Sequence, residues 1–391
     1  MQYFPIIQAL CRTALSNPSD AVVKQIERLI EVAKQDGFKK EAKSLEMLLT
    51  NATRTYDLAP SRIERSKVNM KGEDLTSNVI IPVDKESSTP LAEVIFPNHL
   101  PKEMPFFNEN VAEAINSVIN EWLNFERLRE INTFPSRTCL IYGLPGTGKT
   151  HLALWIAKNI NIPVVLARLD GLMSSYLGTT SRNIGNLFAF AAKYKCILLL
   201  DEFDAIAKLR NDPQEVGEIK RVVNTLLQNL DVRKHFGFTI GVTNHETLLD
   251  PAIWRRFEVQ IEIPKPGPEV MSAIIKKFMM PLELDESDLK FLTWVIDDAS
   301  GAEAESLVNW LKKSTLLNTG SDLKLVDQIR KFALLNSGRI DVAKRILLTG
   351  PTEDLANALL NDIRYGFKQK DVAPLVGLTA STLSKQLSKN K

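Results

Sequence analysis

From Asn17 to Leu49 apolar residues recur at helical spacing: Val22, Val23, Ile26, Ile30 and Ala33, then Ala42, Leu45, Leu48 and Leu49 beyond a break at Asp36-Gly37. A 3.6-residue rhythm interrupted by a turn predicts a helical hairpin or a small three-helix module. The rhythm stops between Asn51 and Pro105, where the chain turns polar and charged and carries six prolines, as a linker does. After a helical segment at Asn108–Arg129, short apolar runs alternate with helical patterns: Arg137–Tyr142, Ile162–Ala167, Cys196–Leu200, Phe238–Val242 and Val259–Ile263. Runs this short and continuous read as strands buried on both faces, so the core is expected to be α/β: a parallel five-stranded sheet sandwiched by helices. From Pro268 to Lys391 every pattern is helical, and no internal repeat is visible.

Composition narrows this picture little. Apolar residues make up 44% of the 391 and charged ones 25%, which suits a globular protein with an ample core and excludes disorder of the whole chain. A net charge of +2 gives no global field, so any affinity for nucleic acid must come from a local patch. Cys11, Cys139 and Cys196 are odd in number and lack metal-site or disulfide spacing, which points to reduced core thiols. Met1–Arg12 has no basic leader or cleavage pattern and no apolar run reaches membrane-spanning length, so a cytoplasmic location without membrane attachment is expected.

The chemistry starts at Gly143-Leu-Pro-Gly-Thr-Gly-Lys149-Thr150, a phosphate-binding loop pattern lying between an expected strand and the helix His151–Asn159. Its glycines let successive backbone N–H groups face phosphate oxygens, and the helix N-terminus adds favourable partial charge. The nucleotide contacts expected are Gly143, Pro145, Gly146, Thr147, Gly148, Lys149, Thr150 and His151; Lys149 should reach the β- and γ-phosphates of ATP and Thr150 should ligate Mg²⁺. Cys196–Leu200 ends in Asp201-Glu202, which places two carboxylates at the same sheet edge. Asp201 would hold the Mg²⁺ shell and Glu202 would activate the attacking water. A plain glycine-rich turn and a helix cap are the alternatives, but the two motifs on one sheet together indicate an ATPase.

Several further motifs follow in order. Leu169-Asp-Gly-Leu-Met-Ser-Ser-Tyr-Leu-Gly178 resembles the first pore loop of the AAA family, Thr243-Asn244 its polar sensor, and Leu249-Asp-Pro-Ala-Ile-Trp-Arg255-Arg256-Phe257 its arginine-finger segment. Ser300-Gly-Ala302 resembles the small-residue motif of the family's helical lid, with no clear lid arginine beside it. Over Val94 to about Leu347 the chain thus resembles the AAA family, specifically its classic clade, of the compact, bacterial stand-alone type. The resemblance implies a nucleotide domain at 93–266 and a helical lid at 267–349; the residue patterns around them suggest a helical module at 1–50, a linker at 51–92 and a C-terminal module at 350–391. It also implies that Asn244 senses the γ-phosphate, that Arg255 and Arg256 complete a neighbour's site, and that the assembly is a homo-oligomer, by resemblance a hexamer. Tyr176, Leu177 and Gly178 would line a central pore, where a ring of aromatics can grip an extended polypeptide. A solvated arginine pair and a tyrosine packed under its own loop are the plainer readings of the same residues.

The C-terminal run from Gln369 to Leu387 resembles a helix-turn-helix of the bacterial repressor type, with Ala373 at the helix contact, Gly377 in the turn, and Leu383 and Leu387 inside. Thr379, Ala380, Ser381, Thr382 and Lys385 would then face a DNA major groove. From Phe367 to Lys391 five lysines stand against one aspartate. Pro374 inside the first helix, and the possibility of a simple lysine-rich tail, weigh against DNA contact. Three functions stay open on these residues: a ring that remodels or threads a protein substrate, a DNA-associated ATPase, and an ATP-dependent switch acting on a partner enzyme such as a protease. The N-terminal helices are an adaptor or an oligomerisation bundle.

Overall fold

The computed structural model describes residues 4–14, 20–58, 72–173, 177–205, 216–233, 237–317 and 324–389. Met1–Asn69 and Met70–Lys391 form two compact units. In the first, helices Phe4–Ala14, Asp20–Gln35 and Lys39–Leu58 enclose Cys11, Ile26, Ile30, Ala33, Ala42 and Leu45. Gly37, at φ +81°, makes the turn between the second and third helices, where a left-handed backbone suits a residue without Cβ. The third helix runs on into the segment expected to be linker, ending at Leu58.

The second unit is built on a six-stranded sheet of order β1-β3-β4-β5-β2-β6. The strands are β1 (Ala92–Ile95), β2 (Thr138–Gly143), β3 (Val164–Ala167), β4 (Ile197–Leu200), β5 (Phe238–Thr243) and β6 (Val259–Ile263). The five apolar runs in the sequence become β2 to β6, all parallel, and β1 adds an antiparallel edge to β3. Residues 72–91 also belong to this unit: Leu75 and Leu91 are buried in its core, and Asp84 accepts hydrogen bonds from Ser87 and from the buried Asn183 amide. The prolines of this stretch break the periodicity by which a strand or helix would be read, while the packing is supplied by single apolar residues.

Helices cover both sheet faces, as a buried parallel sheet requires. Leu177–Lys193 and Val216–Arg233 pack on one, around Leu187, Phe188, Leu226 and Leu230, while Glu109–Leu123 and Lys149–Ile160 pack on the other around Ile115, Leu152 and Ile156. A third core unites the helices from Pro268–Met279 onward, and Phe367, Val372, Ala373, Leu375 and Leu383 are part of it. The two C-terminal helices, Gln369–Leu375 and Ala380–Lys389, are therefore built onto the lid. Neither is long enough to bury a core of its own. Among the described residues no helix is long and apolar enough to cross a membrane.

Candidate functional site

β2, β4 and β5 deliver their carboxyl ends to one crevice, the place where a doubly wound sheet gathers its ligand groups. Gly143, Gly146 and Gly148 adopt φ of +142°, +76° and +90°. Gly143 lies against β6 so closely that a Cβ there would stand 2.3 Å from the Ile263 carbonyl oxygen. A Cβ on Gly146 would meet Ser300 Oγ at 2.8 Å, so the lid's small-residue segment rests directly on the loop. The Ala302 N–H donates to the Gly146 carbonyl at 3.2 Å, and Ser300 and Glu303 cap the lid helix Gly301–Leu317 reciprocally.

Lys149 is buried and donates from Nζ to the Leu144 carbonyl of its own loop at 2.6 Å. Burial pushes its ammonium pKa down, against the opposing pull of Asp201, Asp204, Glu246 and Glu202. The Thr150 hydroxyl donates to Asp201 Oδ2 at 2.9 Å, joining the two motifs across the crevice. Glu202 is exposed and held at φ +48°, its N–H donating to Asp201 Oδ1 at 3.0 Å. That left-handed backbone is costly for a glutamate, and its neighbour Phe203 anchors it, buried against Phe257 over the bare Cα of Gly241. Asn244 follows β5 directly and is half-buried; the preceding Thr243 donates to the buried Asp204 carboxylate at 3.0 Å and accepts from the His245 N–H. The hydroxyl of Thr243 thus ties the Asn244 turn to the acidic strand end.

Arg255 and Arg256 follow the short helix Pro251–Trp254, which Asp250 caps and buried Ile253 anchors. Arg256 is committed within its own chain, to Asp231 at 3.1 Å and to the Ala252 carbonyl at 2.8 Å. Arg255 is exposed and makes no side-chain hydrogen bond or ion pair among the described residues. His151 sits at the rim, its Nε2 3.2 Å from the Glu103 carbonyl oxygen. Tyr176 lies outside the described residues, and Leu177 and Gly178 open the helix Leu177–Lys193. Thr379, Ser381, Thr382 and Lys385 are exposed far along the chain on the lid; the Thr379 hydroxyl accepts from the Thr382 N–H and bonds the Ser381 and Thr382 hydroxyls, capping its helix.

Sequence reasoning missed an apolar pocket beside the loop, lined by Phe106, Phe107, Val111, Thr147, Val270 and Ile274. It draws on segments some 160 residues apart and is lined mostly by apolar side chains. The signal available was Phe106-Phe107 at the linker's end, two adjacent aromatics in a polar stretch.

A glycine cradle at a helix N-terminus, a buried lysine, a paired acid and hydroxyl and an exposed glutamate on the parallel strands of one sheet define a P-loop nucleotide hydrolase of α/β architecture. Residues 139–265 match the model of the ATPase family associated with various cellular activities, AAA. An AAA family ATPase of Sinorhizobium fredii is 32% identical over 245 residues, which cover 63% of this chain and 72% of that one. The chain belongs to the AAA family of ATPases. Proteasome-activating nucleotidase of Methanosarcina mazei is 29% identical over 293 residues, 72% of this chain and 69% of that one. Proteasome-activating nucleotidase 2 of Haloferax volcanii is 34% identical over 208 residues, and the chain spans about half of its length.

Proposed function

We propose that the protein is a homo-oligomeric ring, a hexamer by family resemblance, that uses Mg·ATP hydrolysis to thread or remodel a protein substrate through a central pore. The observation that carries this reading is the contrast between the two arginines: Arg256 is held by Asp231, while Arg255 stands exposed without a partner among the described residues. A cation presented this way can serve the phosphates of an adjacent subunit, in a head-to-tail contact that closes into a ring. Lys149, released from the Leu144 carbonyl, takes the β- and γ-phosphates, and the backbone N–H groups of Gly146 to Thr150 surround them.

The donor set fits Mg²⁺: Thr150 Oγ1 and Asp201 Oδ2 are hard oxygens already 2.9 Å apart. When bound there, the ion supplies charge neutralisation on the phosphates. Glu202 orients a water and takes its proton, and Asn244, fixed through Thr243 and Asp204, reports the γ-phosphate to the sheet end. Tyr176 grips the polypeptide, and the relatives named proteasome-activating nucleotidases support a protein rather than a nucleic acid as the substrate. The lid-borne Thr379, Ser381, Thr382 and Lys385 would serve a DNA-associated ATPase, and a partner protease would fit the switch reading.

Fluorescein-labelled casein, an unfolded polypeptide, tests the threading step directly. Glu202→Gln with ATP is expected to retain it and the added Tyr176→Ala to abolish retention, while Tyr176→Ala alone keeps wild-type-like ATP turnover. Retention unaffected by Tyr176→Ala would sink the pore reading, and salt-sensitive DNA binding lost on deleting Phe367–Lys391 would favour the DNA-associated one.

A further inference from the structure

The amino edge of the same sheet carries a second cleft, of about 670 Å³, on the side away from the nucleotide loop. It opens where β3, β4 and β5 begin: Ile162, Cys196, Gly237 and Phe238 form its back. Trp122 and Phe125, stacked at 6.2 Å, form one wall, and Trp122 also meets the Phe238 ring at 5.1 Å. The opposite rim is Gly72–Asp74, held by mutual hydrogen bonds between Glu73 and residues 193 and 195.

Arg137 projects into this apolar setting. It is only 8% exposed, yet its guanidinium makes no hydrogen bond or ion pair among the described residues. It lies over the Phe134 ring at 4.9 Å and feels the Glu258 carboxylate, which is itself engaged by the Arg137 backbone N–H. A second guanidinium, Arg233, is 1% exposed behind the Cys196–Gly237 wall; it donates to Thr239 Oγ1 and the Cys196 carbonyl, and its Nη1 has no partner among the described residues. Buried guanidinium groups with no hydrogen-bonded carboxylate are uncommon, because their desolvation is only partly offset. Arg137 alone of the two lines the cleft, and its guanidinium, without a hydrogen-bond partner among the described residues, can receive an anion there.

The charge census selects the anion. Arg127, Arg137 and Lys195 line the cleft against Asp74 and Glu126, three cations to two anions, a net of +1. Behind the wall, Arg233 and Glu258 add one charge of each sign. One excess charge matches a monocarboxylate and is outmatched by a phosphate dianion. The ring-lined walls call for an apolar group on the same ligand, and the rim acids can accept from amide N–H donors. We propose that this cleft docks the C-terminal residues of a partner polypeptide, with the terminal carboxylate on Arg137 and the last, apolar side chain against Trp122 and Phe238. The guanidinium fork is suited to take both carboxylate oxygens. This site is independent of the pore reading.

The probe is the peptide acetyl-Gly-Leu-Phe with a free carboxylate, titrated calorimetrically into the full-length protein beside its C-terminal amide. The free acid is expected to bind at one site per chain and the amide at least tenfold more weakly. Arg137→Gln should weaken the free acid at least tenfold with ATP turnover unchanged, and Lys195→Gln, which is exposed and cannot threaten folding, should weaken it severalfold. Inorganic phosphate should not compete. Equal binding of acid and amide, or no binding at millimolar peptide by protein that melts normally, overturns the proposal. Binding of 3-phenylpropionate as tight as that of the peptide would overturn the polypeptide as occupant.

Discussion

At the carboxyl edge of the sheet the charged groups ride on loops forced into positive φ at Gly143, Gly146, Gly148 and Glu202, whereas at the amino edge Arg137 and Arg233 stand at the ends of ordinary elements. The first region concentrates its cost in the backbone, and the second in desolvation, with Arg233 fully buried and its Nη1 unpaired among the described residues. Backbone strain can fix where a reacting group points; a desolvated cation fixes what it can receive. The two edges of one sheet are thus equipped for chemistry and for recognition respectively.

Glu202→Gln should break the catalytic edge most severely: ATP turnover is expected to fall on the order of 10²–10⁴-fold while nucleotide binding persists, measured by steady-state hydrolysis and by binding of a fluorescent ATP analogue. Gly143→Ala attacks the strain itself. Its Cβ would meet the Ile263 carbonyl at 2.3 Å, so a stability loss of about 3 kcal/mol is expected in denaturant unfolding. Asp204→Ala removes the acceptor of the buried Thr243 hydroxyl, and a loss of about 1–3 kcal/mol together with lower turnover is expected as the Asn244 turn loosens.

The amino edge should answer differently. Arg233→Met removes a buried charge along with its two donor contacts, and a net change within about 1.5 kcal/mol, with turnover unaltered, is expected. The smallest effect is a pH slope. Burial lowers the Lys149 pKa in the folded chain, so at alkaline pH, between the folded and unfolded values, the unfolded chain holds more protons there and stability rises with pH. Lys149→Met should remove that rise, read from unfolding midpoints across the alkaline range.

The contrast also explains what the sequence discloses. The nucleotide loop is legible because its glycines, lysine and threonine are contiguous and their order reflects backbone geometry and ligand chemistry at once. The five parallel strands are legible because burial on both faces makes each an unbroken apolar run. β1 escapes notice because Ala92–Ile95 is a four-residue edge strand between Pro90 and Pro97. The Phe106 and Phe107 pocket and the Arg137 cleft escape for another reason: each is assembled from segments distant in sequence, and an arginine before a strand looks the same whether or not a carboxylate awaits it. The left-handed backbone of Glu202 is imposed by the packing of Phe203 and Phe257, which no local pattern announces.

The most direct test of a site completed between subunits is to mix Glu202→Gln subunits with Arg255→Ala,Arg256→Ala subunits, each nearly inactive alone, and to measure ATP turnover across mixing ratios. Recovery in the mixtures is expected, because an intact Glu202 then faces the intact arginines of a neighbour; no recovery at any ratio, in preparations shown to co-assemble, would rule out a site shared between subunits.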